Sequence, residues 1–68
     1  MKTVDARGLS CPQPVVLTQK AINDGTDAFE VQVNSVVSKE NVLRCLSKNG
    51  FRTDVKEEGD DIIITASR

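Results

Sequence analysis

Two stretches of helical periodicity alternate with short strand patterns, and this alternation limits the folds open to the chain. Every second residue of Phe29–Val33 is apolar, which predicts a strand with one apolar face. One helix is predicted before this strand, from Pro12 or Pro14 to about Asp24, and another after it. The residues expected to face the core are Val15, Leu17, Thr18, Ala21 and Ile22 in the first helix, and Val42, Leu43, Cys45 and Leu46 in the second.

The ends of both predicted helices carry sequence signals. Proline suits the first turn of a helix because its missing N–H would have no partner there. Gly25 and Gly50 stand where a glycine commonly ends a helix. Ser38 is the predicted N-cap of the second helix, with Val37 and Val42 at the two positions of a hydrophobic staple. The second helix is therefore expected to begin just after Ser38.

Three further strands complete the predicted order β-α-β-α-β-β. A short strand is centred on Val4, a second covers 52–57, and a β-branched third covers 61–66 after the hairpin turn Gly59-Asp60. This order predicts an α/β (α+β) two-layer sandwich, with a four-stranded mixed sheet and two helices on one face. Each β-α-β crossover is expected to be right-handed and to join parallel strands. The hairpin makes the last strand antiparallel to the third.

Length and charge exclude several classes of protein. The 68 residues allow a single domain, 1–68, which is too short for a Rossmann fold or a barrel. Nine basic and ten acidic residues give a net charge of −1 and a pI near 5.2, which argues against direct binding of nucleic acid or anionic membranes. No apolar run approaches the roughly 20 residues of a membrane span, and the start lacks the apolar core of a signal peptide. The chain is expected to be cytoplasmic.

Cys11 is the candidate for chemistry. The chain has no histidine, which excludes histidine-based triads, and two cysteines are too few for a zinc site. Cys11 stands just before the first helix, whose N–H groups favour a thiolate, and Arg7 lies close enough in sequence to add to this field. Pro12 and Pro14 stiffen the loop. The alternative is a small packing residue at a strand-to-helix corner.

A lone activated thiol supports exchange chemistry. Position 14 is proline, so Cys11 is not part of a C-x-x-C redox pair, and no general base for acyl transfer is evident. A thiolate can still take sulfur from a persulfide held by a partner, and then be attacked in turn. This chemistry needs no cofactor and no metal.

The motif Asp5-Ala6-Arg7-Gly8-Leu9-Ser10-Cys11-Pro12-Gln13-Pro14 resembles the signature of the TusA/SirA/YedF family of small sulfur-carrier proteins. The order of elements matches that family along the whole chain. The resemblance implies that Cys11 accepts a persulfide sulfur from a cysteine desulfurase and relays it to a downstream acceptor. It also implies that Asp5, Arg7, Gly8, Pro12 and Pro14 support this thiol, as a carrier rather than as a stand-alone catalyst.

The second half of the chain, from Ser38 to Arg44, looks closer to the YedF-type branch than to TusA proper. That branch is linked to sulfur or selenium handling and often carries a second domain, whereas this chain stops after the first. The resemblance therefore favours a role in sulfur or selenium metabolism over the thiolation of tRNA.

Other residues have alternative interpretations. Cys45 is expected to be a half-buried packing thiol, with a resolving partner for Cys11 as the alternative. Val16 and Lys20 are candidates for partner docking, although a lone exposed valine or lysine commonly has no role. The acidic run 57–61 is expected to be a solvated hairpin tip rather than a metal site. A non-catalytic regulatory or RNA- or protein-interaction module, or a thiol redox sensor using Cys11, are the alternative functions.

Overall fold

The computed structural model describes residues 2–9 and 13–68. Within them the chain forms four strands and two helices in the predicted order. None of the helices in the described ranges is long and apolar enough to cross a membrane. The elements are β1 (Lys2–Asp5), α1 (Gln13–Asn23), β2 (Ala28–Val33), α2 (Val36–Lys48), β3 (Arg52–Glu58) and β4 (Asp61–Ser67).

The four strands form one mixed sheet in the order β1-β2-β4-β3. β1 and β2 are parallel neighbours, as the first crossover predicts, and β4 is antiparallel to both β2 and β3. The second crossover differs from the first, because β4 lies between β2 and β3. These two strands run in the same direction but are not neighbours. The last strand therefore occupies the centre of the sheet, which matches its β-branched sequence.

The core lies between one face of the sheet and the two helices. Register sets Val4, Val31 and Ile64 side by side on this face. Phe29 and Phe51 meet edge to face, with ring centroids 5.5 Å apart. The described residues buried in the core are Val4, Ala6, Ala21, Ile22, Phe29, Val31, Val33, Val42, Cys45, Leu46, Phe51, Ile62, Ile64 and Ala66. The two-layer sandwich predicted from the sequence is confirmed.

Glycines end both helices as predicted. After α2, Gly50 takes φ +78°, its N–H donates to the Ser47 carbonyl, and the Phe51 N–H donates to the Leu46 carbonyl. This is the Schellman arrangement, and it turns the Phe51 ring back towards the core. Gly25 ends α1 with φ +84° and the equivalent bond to the Ile22 carbonyl.

The start of α2 differs from the prediction. Ser35, not Ser38, is the N-cap, since its hydroxyl oxygen accepts the Ser38 N–H at 3.1 Å. The helix begins at Val36, so Ser38 lies inside the first turn and is buried. Val37 is 66% exposed and forms no staple with Val42. The prediction was wrong by one turn because Ser35 and Ser38 are both good capping residues, and the sequence does not choose between them.

Candidate functional site

Both helices begin at the same end of the molecule. α1 and α2 follow the carboxyl ends of β1 and β2, which are parallel neighbours. The loop that leaves β1 therefore lies beside the connection between β2 and α2. The Ala6 N–H donates to the Gln32 carbonyl at 2.8 Å, which continues the pairing of β1 with β2 into this loop. The described residues of the motif, 5–9 and 13–14, lie at this end.

Arg7 fastens the loop to the sheet. Its Nε and Nη2 groups donate to the two carboxylate oxygens of Asp5 at 2.9 and 3.0 Å, and Nη1 donates to Asp61 at 3.0 Å. The backbone N–H of Arg7 also donates to Asp5, at 3.2 Å. This paired geometry is the one that a guanidinium makes best. The motif residues Asp5 and Arg7 are thus brought together, and a residue from β4 joins them.

The pairing shifts the pKa values of both motif residues. The side-chain hydrogen bonds from Arg7, followed by its backbone N–H, lower the pKa of Asp5. The hydrogen bonds that Arg7 donates to Asp5, and then the one that it donates to Asp61, raise the pKa of Arg7. Asp5 and Arg7 therefore stay ionised at neutral pH. Two carboxylates thus accompany the Arg7 charge, and the bond to Asp61 links the loop to β4.

Gly8 takes a backbone conformation that suits glycine. Its φ is +74°, a left-handed value that other residues adopt at a cost. Its N–H donates to the side-chain oxygen of Asn34 at 3.1 Å. This bond joins the loop after β1 to the residue that precedes the cap of α2, so Gly8 ties the two helix starts together.

Pro14 belongs to the core as well as to the helix start. α1 begins at Gln13, so Pro14 lies in the first turn as predicted. Gln13 is part of the helix although a proline disfavours helical geometry at the residue before it. The Pro14 ring is buried, and its carbonyl accepts the buried hydroxyl of Thr18 at 2.8 Å. The first turn of α1 contains no acidic residue. Its positive end is therefore not offset by a carboxylate of its own.

Cys11 and Pro12 lie outside the described residues. The parts of the chain on either side of them are the fastened loop that ends at Leu9 and the helix that begins at Gln13. Leu9, Gln13, Val16 and Leu17 line a cleft of about 230 Å³ at the start of α1. The neighbourhood of the motif thus presents apolar side chains.

The two docking candidates of α1 are accessible. Val16 is 57% exposed, and Lys20, one turn further along, is also exposed. Val36 and Val37 in the first turn of α2 are 62% and 66% exposed. Val16, Val36 and Val37 thus lie within the first two turns of helices that begin at the same end of the molecule. We call Val16, Val36 and Val37 the valine patch.

Cys45 has a different environment. It is 9% exposed, and its thiol donates to the side-chain oxygen of Gln19 at 3.5 Å. Burial raises the pKa of this thiol, and the nearby charge of Lys48 offsets part of the rise. Gln19 lies six positions after Gln13, which is about 9 Å along the helix axis. These contacts agree with the packing interpretation, and a role as resolving partner gains no support from them.

The acidic hairpin differs in part from its predicted solvated state. Glu57, Glu58 and Asp60 are exposed, but Asp61 binds Arg7. Residues 2–9 and 13–68 contain no group of three potential metal ligands.

Sequence reasoning missed the two partners that hold the loop. Asn34 and Asp61 are 26 and 54 residues away from the groups they bind, Gly8 and Arg7. Nothing in their local sequence marks them. Their roles follow from the sheet, which brings the end of β2 and the start of β4 beside the loop.

A protein-family model described as "Sulfurtransferase TusA" matches residues 2–68. The chain belongs to the TusA family. A Bacillus subtilis (strain 168) protein named "Putative sulfur carrier protein YrkI" is 36% identical over 61 residues, which are 88% of this chain and 80% of that protein. The crystal structure of a SirA-like protein from Desulfitobacterium hafniense superposes with a TM-score of 0.87 at 27% identity, and covers 97% of this chain and 95% of its own.

Membership of the TusA family confirms the resemblance drawn from the motif, and the SirA-like structure confirms the fold. The likeness of the second half to the YedF-type branch stays a prediction.

Proposed function

We propose that this protein is a cytoplasmic sulfur carrier in which Cys11 accepts the terminal sulfur of a persulfide and passes it on. The donor is a cysteine desulfurase or another persulfide protein, and the acceptor is a downstream protein. The name of the Bacillus subtilis relative and the family description both support sulfur carriage. The YedF-like second half favours sulfur or selenium metabolism over tRNA thiolation.

The fastening of the loop before Cys11 is the observation that carries the proposal. Arg7 binds Asp5 and Asp61, and Gly8 binds Asn34. These bonds fix Gly8 only three positions before the thiol, and α1 begins two positions after it. A sulfur that is exchanged between proteins must be presented at a fixed place, and Arg7 and Gly8, which make these contacts, are themselves exposed. The uncompensated first turn of α1 supports a thiolate at Cys11.

The transfer needs no oxidant, reductant or cofactor. The Cys11 thiolate attacks the terminal sulfur of the donor persulfide, R–S–SH. The donor S–S bond breaks as a new S–S bond forms on Cys11, and the donor leaves as its thiolate, R–S⁻. The proton stays on the terminal sulfur, so Cys11–S–SH results and the charge is conserved. An acceptor nucleophile then attacks this terminal sulfur, and the Cys11 thiolate is the leaving group.

Partner docking falls to the valine patch together with Lys20. A transient protein partner can cover the three exposed apolar side chains of the valine patch. Lys20 can pair with an acidic residue at the edge of that partner's surface. The same surface would serve donor and acceptor in turn, because each must reach the same sulfur. The partners exchange, so the patch needs to be accessible in the free carrier.

Transfer of radioactive sulfur from labelled cysteine by a cysteine desulfurase tests the proposal. Cys11→Ser is expected to abolish labelling, whereas Cys45→Ser is expected to label like the wild type. Val16→Asp is expected to raise the carrier concentration needed for half-maximal labelling, because it places a charge in the apolar patch. Thr53→Asp, an exposed position on β3, is the matched control and is expected to leave that concentration unchanged.

Labelling that persists in Cys11→Ser would contradict the proposal. An unlabelled wild type whose Cys11 reacts readily with an alkylating reagent would also contradict it for the desulfurase tested, and would favour the thiol sensor or the interaction module.

A further inference from the structure

A cleft of about 360 Å³ runs between the two helices, and none of the described motif residues, 5–9 and 13–14, lines it. α1 contributes Val15 and Gln19, and α2 contributes one stripe of its surface. The stripe consists of Asn41, Arg44, Cys45, Lys48 and Asn49. Val15 is half-buried and Cys45 is nearly buried, so these two side chains form an apolar floor. The volume lies within the range of about 300–1,000 Å³ that is typical of binding clefts.

The helical layer is the basic side of an acidic protein. The helices contain Lys20, Lys39, Arg44 and Lys48 against a single acidic residue, Glu40, which gives them a net charge of +3. The whole chain has a net charge of −1, so the remaining residues carry −4. Glu40 is not among the residues that line the cleft. The potential at the cleft is therefore positive although the pI is low.

The two cations of the cleft have no carboxylate partner in residues 2–9 and 13–68. The ion pairs found there use Lys2, Arg7, Lys56 and Arg68. Arg44 donates to the side-chain oxygen of Asn41, at 3.3 Å. Lys48 lies one turn after Arg44, so the two charges are neighbours on the same helix face. A cationic rim above an apolar floor remains open to an anionic partner.

We propose that this cleft binds an acidic, amphipathic segment of a partner protein, with one apolar side chain on Val15 and Cys45 and carboxylates on Arg44 and Lys48. The acidic run of a second copy of this chain fits less well, because residues 57–61 offer four carboxylates but no apolar side chain. A free carboxylate metabolite would meet the rim but would leave the apolar floor uncovered. The proposal concerns a second surface and does not depend on sulfur carriage by Cys11.

Titration of the ¹⁵N-labelled protein with a blocked eight-residue peptide, a central leucine flanked by glutamates, tests this proposal. We expect shifts of the amide signals that line the cleft, and binding that weakens as salt is added. Arg44→Gln/Lys48→Gln is expected to weaken binding about fivefold or more, since two charge pairs are lost. Lys39→Gln/Arg52→Gln removes the same charge away from the cleft and is expected to weaken binding much less.

Three further samples separate the alternatives. A peptide with alanine in place of leucine is expected to bind more weakly, and equal binding would overturn the apolar half of the proposal. Equal losses in the two double variants would overturn the cleft as the site, because they would show a general attraction of the peptide to the positive charges of the protein. Sedimentation without peptide detects self-association, which would favour a second copy as the occupant. Cys11→Ser is expected to bind the peptide like the wild type, so failure of the carrier proposal leaves this test intact.

Discussion

The two ends of the helical layer are held by different forces. Where the helices begin, Arg7 binds Asp5 and Asp61, and Gly8 binds Asn34, all among exposed groups. Where the helices finish, buried side chains meet, as Phe51 packs edge-on against Phe29. A partner can reach a loop whose bonded residues, Arg7 and Gly8, are exposed, whereas the side chains packed at the other end are buried. The difference places accessibility at one end and stability at the other.

Arg68 packs onto the end where the helices finish, which we call the packed end. The Arg68 guanidinium lies over the Phe51 ring, 4.7 Å from its centroid, and also donates to the Asn49 carbonyl at 3.4 Å. The backbone N–H of Arg68 donates to the Asp27 carbonyl at 3.0 Å. These contacts join the C-cap of α2 and the residue before β2 to Arg68, the residue that follows β4.

The largest expected effect is the loss of packing at the packed end, where the helices finish. Leu46→Ala removes a fully buried side chain, and we expect the free energy of unfolding to fall by about 2–5 kcal/mol, as for other buried leucines. Val37→Ala, in the exposed valine patch, is expected to change it by less than about 0.5 kcal/mol. Urea denaturation followed by circular dichroism measures both. Similar losses of unfolding free energy in the two variants would contradict the difference between the two ends.

The two thiols are expected to differ in their reactivity. We expect iodoacetamide at pH 7.5 to alkylate Cys11 at least about tenfold faster than Cys45, since burial raises the pKa of the Cys45 thiol. Peptide mass spectrometry at timed intervals gives both rates. Denatured protein is the control, in which the two rates are expected to converge. Faster alkylation of Cys45 in the folded protein would contradict the assignment of the accessible thiol.

The N-cap of α2 lies at the end where the helices begin, which we call the open end. Its removal is expected to have a smaller effect on stability. Ser35→Ala removes the oxygen that accepts the Ser38 N–H, and we expect a loss of about 1 kcal/mol in the free energy of unfolding. Ser38→Ala is the matched control and is expected to cost less, because the Ser38 hydroxyl is not the cap. Denaturation of both variants under one set of conditions decides the order. A greater loss from Ser38→Ala would restore the cap predicted from the sequence.

The smallest expected effect is the pH dependence of the Arg7 clamp, by which we mean the bonds of Arg7 to Asp5 and Asp61. The pKa of Asp5 is lowered in the folded state, so the clamp adds stability above the ordinary aspartate range and loses it as pH falls through the lowered pKa. Between pH 5 and pH 8 the clamp is expected to be unaffected. A ¹³C titration of the Asp5 carboxyl is expected to give a midpoint below the usual value of about 3.9, and Arg7→Gln is expected to return it towards that value. An unchanged midpoint in Arg7→Gln would show that Arg7 does not hold Asp5.

Local patterns were enough to predict the elements of this fold. Alternation predicted β2, the apolar stripes predicted both helices, and Gly25 and Gly50 predicted where the helices end. These signals act within one or two turns of chain. The insertion of β4 between β2 and β3 could not be read in this way, because the order of strands depends on packing across the whole sheet.

The site was predictable where its residues are consecutive and not where they are distant. The motif identified Asp5, Arg7, Gly8 and Pro14, and the structure joins the first two in one ion pair. Asp61 was interpreted as part of a solvated tip because its neighbours are acidic and polar. The position of Asp61 beside Arg7 depends on the register of β4 in the sheet. That register cannot be read from a single sequence.

The central claim is that sulfur is carried at the open end of the molecule, on Cys11. The most direct test is the mass of the intact protein after incubation with a cysteine desulfurase and cysteine, with and without a thiol reductant, followed by peptide mapping. The account predicts a gain of one sulfur atom that the reductant removes and that maps to the peptide containing Cys11. A sulfur atom that maps to Cys45, or no gain while Cys11 remains open to alkylation, would contradict it.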